Sequence, residues 1–123
     1  MERSKALALY QKLIATQRGV ELKGDRLPYT SVNGHMTSVL DEGGTLALHL
    51  SPADNEAFRK KYRTDHPVSY GAVRRDYVVV PDALLSKTAE LARHFAASFA
   101  YVASLPPKAT TRKKPAPKKK PTS

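Results

Sequence analysis

The dipeptide Asn33-Gly34 stands between two runs that favour extended backbone, Tyr29-Thr30-Ser31-Val32 and His35-Met36-Thr37-Ser38-Val39-Leu40. A two-residue type I′ turn needs positive φ at both central positions, and Asn and Gly are the residues that tolerate it. A β-hairpin is therefore expected here. Asp41-Glu42-Gly43-Gly44 supplies a second turn, and Thr45–Leu50 then alternates, with Leu46, Leu48 and Leu50 on one face and Thr45, Ala47 and His49 on the other. Such alternation describes a strand with one buried face. Residues 29–50 thus read as a three-stranded meander.

Two registers are open for the second hairpin. A three-residue loop at 41–43 places Ser38 opposite Leu46, Met36 opposite Leu48 and His35 opposite His49. A two-residue turn at Glu42-Gly43 places Val39 opposite Leu46. A one-residue slip exchanges the faces, so the choice decides which side chains a site on the sheet could use.

Helical periodicity brackets this block. Ala6, Leu9, Tyr10, Leu13 and Ile14 make an apolar stripe over Ser4–Gln17, with Ser4 as candidate N-cap and Gly19 as the stop. Ser51-Pro52 with Asp54 three residues after the Ser is a strong helix start. That helix runs to about Tyr62, burying Ala57, Phe58 and Tyr62, and its last turn is basic with Arg59, Lys60, Lys61 and Arg63. Thr64–Gly71 reads as a loop. Tyr77-Val78-Val79-Val80 is a β-branched strand, starting near Val73 and ended by Pro81. Asp82 can cap a last helix from Ala83 to about Leu105, with the stripe Leu84, Thr88, Leu91, Phe95, Phe99 and Val102. The order α-β-β-β-α-β-α indicates an α+β fold: a mostly antiparallel sheet with helices packed on one face.

Charge divides the chain. Of its 123 residues, 21 are Lys or Arg and 11 are Asp or Glu, a net charge of +10. Residues 106–123 hold seven of the bases (Lys108, Arg112, Lys113, Lys114, Lys118, Lys119 and Lys120), five of the nine prolines and no acid. Residues 1–105 keep 14 bases against 11 acids, so a single domain of ordinary charge carries a cationic tail. With no apolar anchor, the tail is expected to be disordered. There is no Cys, hence no disulfide, zinc ribbon or thiol nucleophile. No apolar run approaches the ~18 residues that span a bilayer, and the N-terminus does not resemble a secretory signal. A cytoplasmic location without membrane attachment is expected.

The block Pro28–Leu50 resembles the TfoX/Sxy N-terminal domain family and its small stand-alone members. The resemblance rests on the strand Tyr29–Val32, the strand His35–Leu40 ending in an apolar pair, and the G-x-L-x-L run Gly44-Thr45-Leu46-Ala47-Leu48. The later helix, strand and long last helix follow in the family's order, so it covers most of residues 4–105. The opening Leu27-Pro28-Tyr29-Thr30-Ser31 departs from the family's glycine-rich start. A weaker similarity is to the YjbR/MmcQ group, which has been likened to DNA-binding proteins. The resemblance implies an α+β fold and no catalytic residues.

The cationic tail is the strongest functional signal. Lysines and arginines bind phosphates through counterion release, without reading bases. DNA or RNA is thus the expected partner class, with a solubilising extension as the alternative. Arg59, Lys60, Lys61, Arg63, Arg74 and Arg75 form a second basic set on the body, read chiefly as solvated charge. No helix-turn-helix, RNA-recognition motif or KH loop is present. A ligand pocket is conceivable near Tyr29, Thr30, Asn33, His35 and His49. His35 and His49 lack a third ligand, so no metal and no cofactor are expected. His66 and His94 carry no evident role. No nucleophile elbow or phosphate-binding glycine loop appears. Asp41-Glu42 is an adjacent acidic pair, which on a strand points to opposite faces. The expectation is a non-enzymatic interaction or regulatory module with a nucleic-acid-contacting tail and a protein partner. The alternative is a small-molecule-binding domain with a pocket near Tyr29 and His35, its tail incidental.

Overall fold

The computed structural model describes residues 2–69 and 71–107. Helix α1 (Arg3–Ala15) buries Ala6, Tyr10, Leu13 and Ile14. Its N-cap is Glu2 rather than Ser4, whose hydroxyl sits in the first turn and donates back to Glu2 Oε1 at 3.0 Å. The chain then crosses Gly19, at φ +78°, and reaches the sheet.

Strands β1 (Tyr29–Val32) and β2 (His35–Leu40) form the expected hairpin, with Asn33 at φ 54° and Gly34 at φ 80°. Strand β3 (Leu46–His49) follows, then α2 (Pro52–Tyr62), a small hairpin β4 (Val68–Ser69) and β5 (Ala72–Val73), and strand β6 (Tyr77–Val80). The main sheet is antiparallel in the order β1-β2-β3-β6. The region 64–71 is thus not all loop, and the last strand starts at Tyr77 rather than near Val73, because residues 68–73 pair with each other.

The second hairpin adopts neither anticipated register: Leu40 faces Leu46, Val39 faces Ala47 and Ser38 faces Leu48. The reason lies in Asp41. Its Oδ1 accepts the amides of Gly43 (2.9 Å) and Thr45 (2.8 Å), and Asp41 N donates to Thr45 O (3.0 Å). Gly44 at φ +86° completes a three-residue loop, Glu42–Gly44, a conformation glycine enters without a Cβ penalty. His35 therefore pairs with Val32, and His49 with Tyr77, so the two histidines are not opposite.

One face of the sheet lies under helices. Thr30, Ser38, Leu40, Leu46, Leu48, Val78 and Val80 are all buried there. They pack against α1, α3 (Asp82–Leu85) and α4 (Thr88–Ala103). The expected single last helix is broken at Ser86-Lys87, where Lys87 takes φ −103°, ψ 74°. Pro81, not Asp82, precedes the first turn. Leu84 and Leu85 are both buried in α3, and α4 presents Leu91, Phe95, Ser98 and Val102.

Helix α2 starts as its sequence dictates, with Ser51 Oγ accepting Asp54 N at 3.2 Å. It buries Asn55 and Phe58; Ala57 is exposed and Tyr62 half-buried. Beyond it the chain runs beside β6, with Thr64 Oγ1 donating to Val79 O (2.9 Å) and Val79 N to Asp65 O (2.9 Å). The outer edge of the sheet is thereby covered.

Candidate functional site

The second face of the sheet carries no helix. Tyr29, Val39, Ala47 and Val79 make one row across its four strands. Next to this row a bulge alters β2. Thr30 pairs with Ser38 and Ser31 with Met36, so Thr37 is the extra residue. Two consequences follow. Met36 and Val39, three residues apart, both come to the open face. Thr37 turns inward instead, where its hydroxyl and that of Ser38 both meet Thr30 Oγ1.

Between this face and the β4–β5 hairpin lies a groove of about 680 Å³. Met36, Val39, Ala47 and Tyr77 form its floor; Pro67, Val68 and Arg74 of the hairpin region, Leu27 and the Asp41–Gly43 turn form its rims. Val68 is 67 % exposed at the mouth. The polar groups here are largely engaged. Asp41 holds its own turn, and Glu42 pairs with Arg26 on the surface. Tyr77 donates its phenol hydrogen to Met36 O at 3.0 Å. Burial, reinforced by the Asp76 charge, pushes the Tyr77 phenol up to about 12, so it stays neutral. The groove offers apolar surface, with Arg74 adding a charge at the rim.

Beside Tyr77 stands His49, its ring 4.9 Å away and tilted by 35°. Tyr101 of α4 meets the same imidazole edge-on at 5.8 Å. His49 Nδ1 lies 3.3 Å from Met36 O, an acceptor, so Nδ1 carries the hydrogen. Ser98 Oγ donates to His49 O at 2.6 Å and fastens this end of β3 to α4.

None of the five residues singled out in the sequence lines the groove. Tyr29 lies on the open face, its ring packed by Gly24, where a Cβ would approach within 3.2 Å. Thr30 is fully buried, and its hydroxyl belongs to a chain with Ser38, Thr37 and, through Ser38, Tyr10. Asn33 Nδ2 donates to Ala103 O (2.9 Å) and His35 Nε2 lies 2.8 Å from Pro106 O. The structure therefore joins Asn33 and His35 to the end of α4, and His49 to Tyr77, rather than all five to one another. Sequence reading missed Met36, Val39, Ala47 and Tyr77. The non-leucine face of the β3 alternation contains Ala47, and that was the available signal.

A second polar cluster joins α2 to α4. Tyr62 donates its hydroxyl hydrogen to Glu90 Oε2, and His94 Nε2 lies 2.8 Å from the Tyr62 hydroxyl oxygen. Phe58 packs edge-on against His94 with centroids 5.1 Å apart. Burial, with Lys61 nearby, lowers the His94 pKa, while the Tyr62 hydrogen bond lowers that of Glu90. His94, read as unremarkable from sequence, is therefore a joint between two helices.

The second basic set is dispersed. Lys60 pairs with Glu56 at 3.1 Å, Lys61 Nζ lies 5.3 Å over the Tyr62 ring, and Arg63 ends α2 in the left-handed region at φ 52°. Arg74 is at the groove, whereas Arg59 and Arg75 border a separate small cavity. Lys108, Arg112, Lys113, Lys114, Lys118, Lys119 and Lys120 lie outside the described residues. Among the described residues, no three His, Cys, Asp or Glu side chains converge on a point that could hold a metal ion. No helix among them is long and apolar enough to cross a membrane. No protein-family model, curated protein or solved structure matches the chain.

Proposed function

We propose that the protein is a non-catalytic interaction module. The groove on the open sheet face receives a protein segment bearing apolar side chains. The cationic tail contacts nucleic acid through its phosphates without base readout. The observation that carries the reading is the composition of the groove: an apolar floor whose tyrosine and nearby carboxylates are already bonded within the protein. Such a surface favours burial over reaction. The tail continues from Pro107, one residue past the carbonyl beside His35, and His35 adjoins Met36 of the groove floor. The last described residues before the cationic segment thus lie at the end of the sheet where β1 turns into β2. The resemblance to the TfoX N-terminal domain belongs to the same proposal, supported by the order of the elements.

The test is a DNA titration at several salt concentrations. It compares the full chain with one in which the seven tail bases are replaced by Gln. If all seven neutralise phosphates, log affinity falls against log salt with a slope of roughly −6. Loss of binding in the neutral variant is the expected result. Equal binding by the two chains sinks the tail's role.

The groove volume of about 680 Å³ favours a second reading, since small-molecule sites occupy about 300–1,000 Å³. A small-molecule-binding domain would be stabilised thermally by its ligand, and that gain would survive neutralisation of the tail.

A further inference from the structure

On the far side of the β6 edge strip, the first turns of α2 meet the loop that leads into β6. A cavity of about 220 Å³ lies there, bordered by Pro52, Asn55, Arg59, His66, Arg75 and Asp76. One buried amide organises it. Asn55 is only 3 % exposed, yet its side chain serves both arginines. Its Oδ1 accepts Arg59 Nε at 2.7 Å, and its Nδ2 donates to Arg75 O at 3.0 Å. Arg59, which borders the cavity, is thus held by its Nε. His66 is fixed in turn by Nδ1, which faces Tyr77 O at 3.0 Å and so carries the hydrogen. Leu50 N donates to Asp76 O at 3.1 Å and fixes the loop against the start of α2.

The charge balance is positive. Two guanidinium groups stand against one carboxylate, Asp76, among the residues that border the cavity. Arginine guanidinium groups match the geometry of phosphate oxygens, to which they donate more than one hydrogen bond. The volume is below the roughly 300–1,000 Å³ of whole-ligand pockets, which fits one group rather than an entire small molecule.

We propose that this cavity is a phosphate-binding site, with Arg59 and Arg75 as the principal donors and Asn55 as the positioning residue. The phosphate is either a free ion or ester, or one phosphodiester of a nucleic-acid backbone. The chemistry is the same, and it does not depend on the tail.

The test uses the full-length, nitrogen-15-labelled protein and two-dimensional NMR. Inorganic phosphate is titrated against sodium chloride at matched ionic strength. Saturable shifts are expected at the Asn55 side-chain amide, Arg59 Nε–H and the Arg75 backbone amide, and not with chloride. Arg75→Ala removes an exposed side chain and keeps the carbonyl that Asn55 binds, so the fold is retained; affinity should fall at least about tenfold. Arg59→Ala should abolish the shifts. A second arm adds a short thymidine oligonucleotide to the chain whose seven tail bases are Gln. If the oligonucleotide moves the same resonances and competes with phosphate, the backbone is a source; if phosphate alone moves them, the site takes the free ion or ester. Absence of saturation with either probe, or phosphate binding unchanged by Arg75→Ala, overturns the proposal.

Discussion

Tyr77 on β6 reaches across β3 to donate a hydrogen bond to the carbonyl of Met36 on β2, at 3.0 Å. The bond ties three strands together on the face that no helix covers. It also fixes the phenol as a neutral donor.

That neutrality predicts an alkaline transition. Unfolded tyrosine loses its proton near 10.0, whereas Tyr10 and Tyr77 hold theirs to about 12 in the fold. The folded pKa is raised, so the stabilising contribution is complete below pH 10 and is lost as pH rises from 10 through 12. Chemical denaturation at stepped pH should show stability falling in this window. Tyr77→Phe should flatten the fall. An identical alkaline profile in the variant would show that Tyr77 does not contribute to it.

Beneath the helices, Tyr10 OH meets Ser38 Oγ at 2.5 Å, and Ser38 Oγ meets Thr30 Oγ1 at 2.5 Å. Tyr10→Phe keeps the ring and removes one member of this buried chain. Ser38 retains Thr30 as a partner, so the cost should be about 1 kcal/mol, that of one hydrogen bond. Urea unfolding should show a lower midpoint with an unchanged slope. A loss of several kcal/mol would mean that the hydroxyl chain acts as one cooperative unit.

The joint between α2 and α4 should respond to acid. The His94 pKa is depressed below 6.5, chiefly by burial and secondarily by Lys61, with Glu90 opposing. A depressed histidine contributes stability above its unfolded pKa and loses it as pH falls through the folded one. Thermal unfolding followed from pH 8 to pH 4 should therefore weaken below 6.5. His94→Gln should reduce the acid-side loss; a steeper loss would contradict the assignment.

At the groove mouth, Val68 is 67 % exposed. Val68→Asp should change stability by no more than about 0.5 kcal/mol, as exposed substitutions do. It should also weaken capture of any partner that seats in the groove. The tail-dependent affinity for DNA should stay as it was, which separates the two surfaces in one variant.

Much of this architecture is legible in the sequence, for reasons that are local. Asn33-Gly34 dictates its own turn, Ser51-Pro52 its own helix start, and the leucines of Thr45–Leu50 their buried face. Local signals fail where a side chain reaches back into the backbone. The register of the second hairpin depends on Asp41 Oδ1 accepting two amides, which no periodicity records. The groove was hidden by the bulge at Thr37, since strict alternation would put Met36 and Val39 on opposite faces. The break at Ser86-Lys87 was hidden because the stripe from Leu84 to Val102 continues in helical spacing through it. The Arg59–Asn55–Arg75 arrangement joins a helix to a loop sixteen or more residues away, which spacing alone does not reveal.

Asn33 and His35 hold the end of α4 at Ala103 and Pro106. The last described residues before the seven tail bases are thereby fastened to the β1–β2 hairpin. Lys120, the last of these bases, stands thirteen residues beyond Pro107, a chain length of at most about 45 Å. If the tail holds nucleic acid and the groove a protein segment, as proposed, both partners lie within that reach of one molecule. Their binding would then be intramolecular with respect to each other, with an effective concentration set by tether length instead of by the solution.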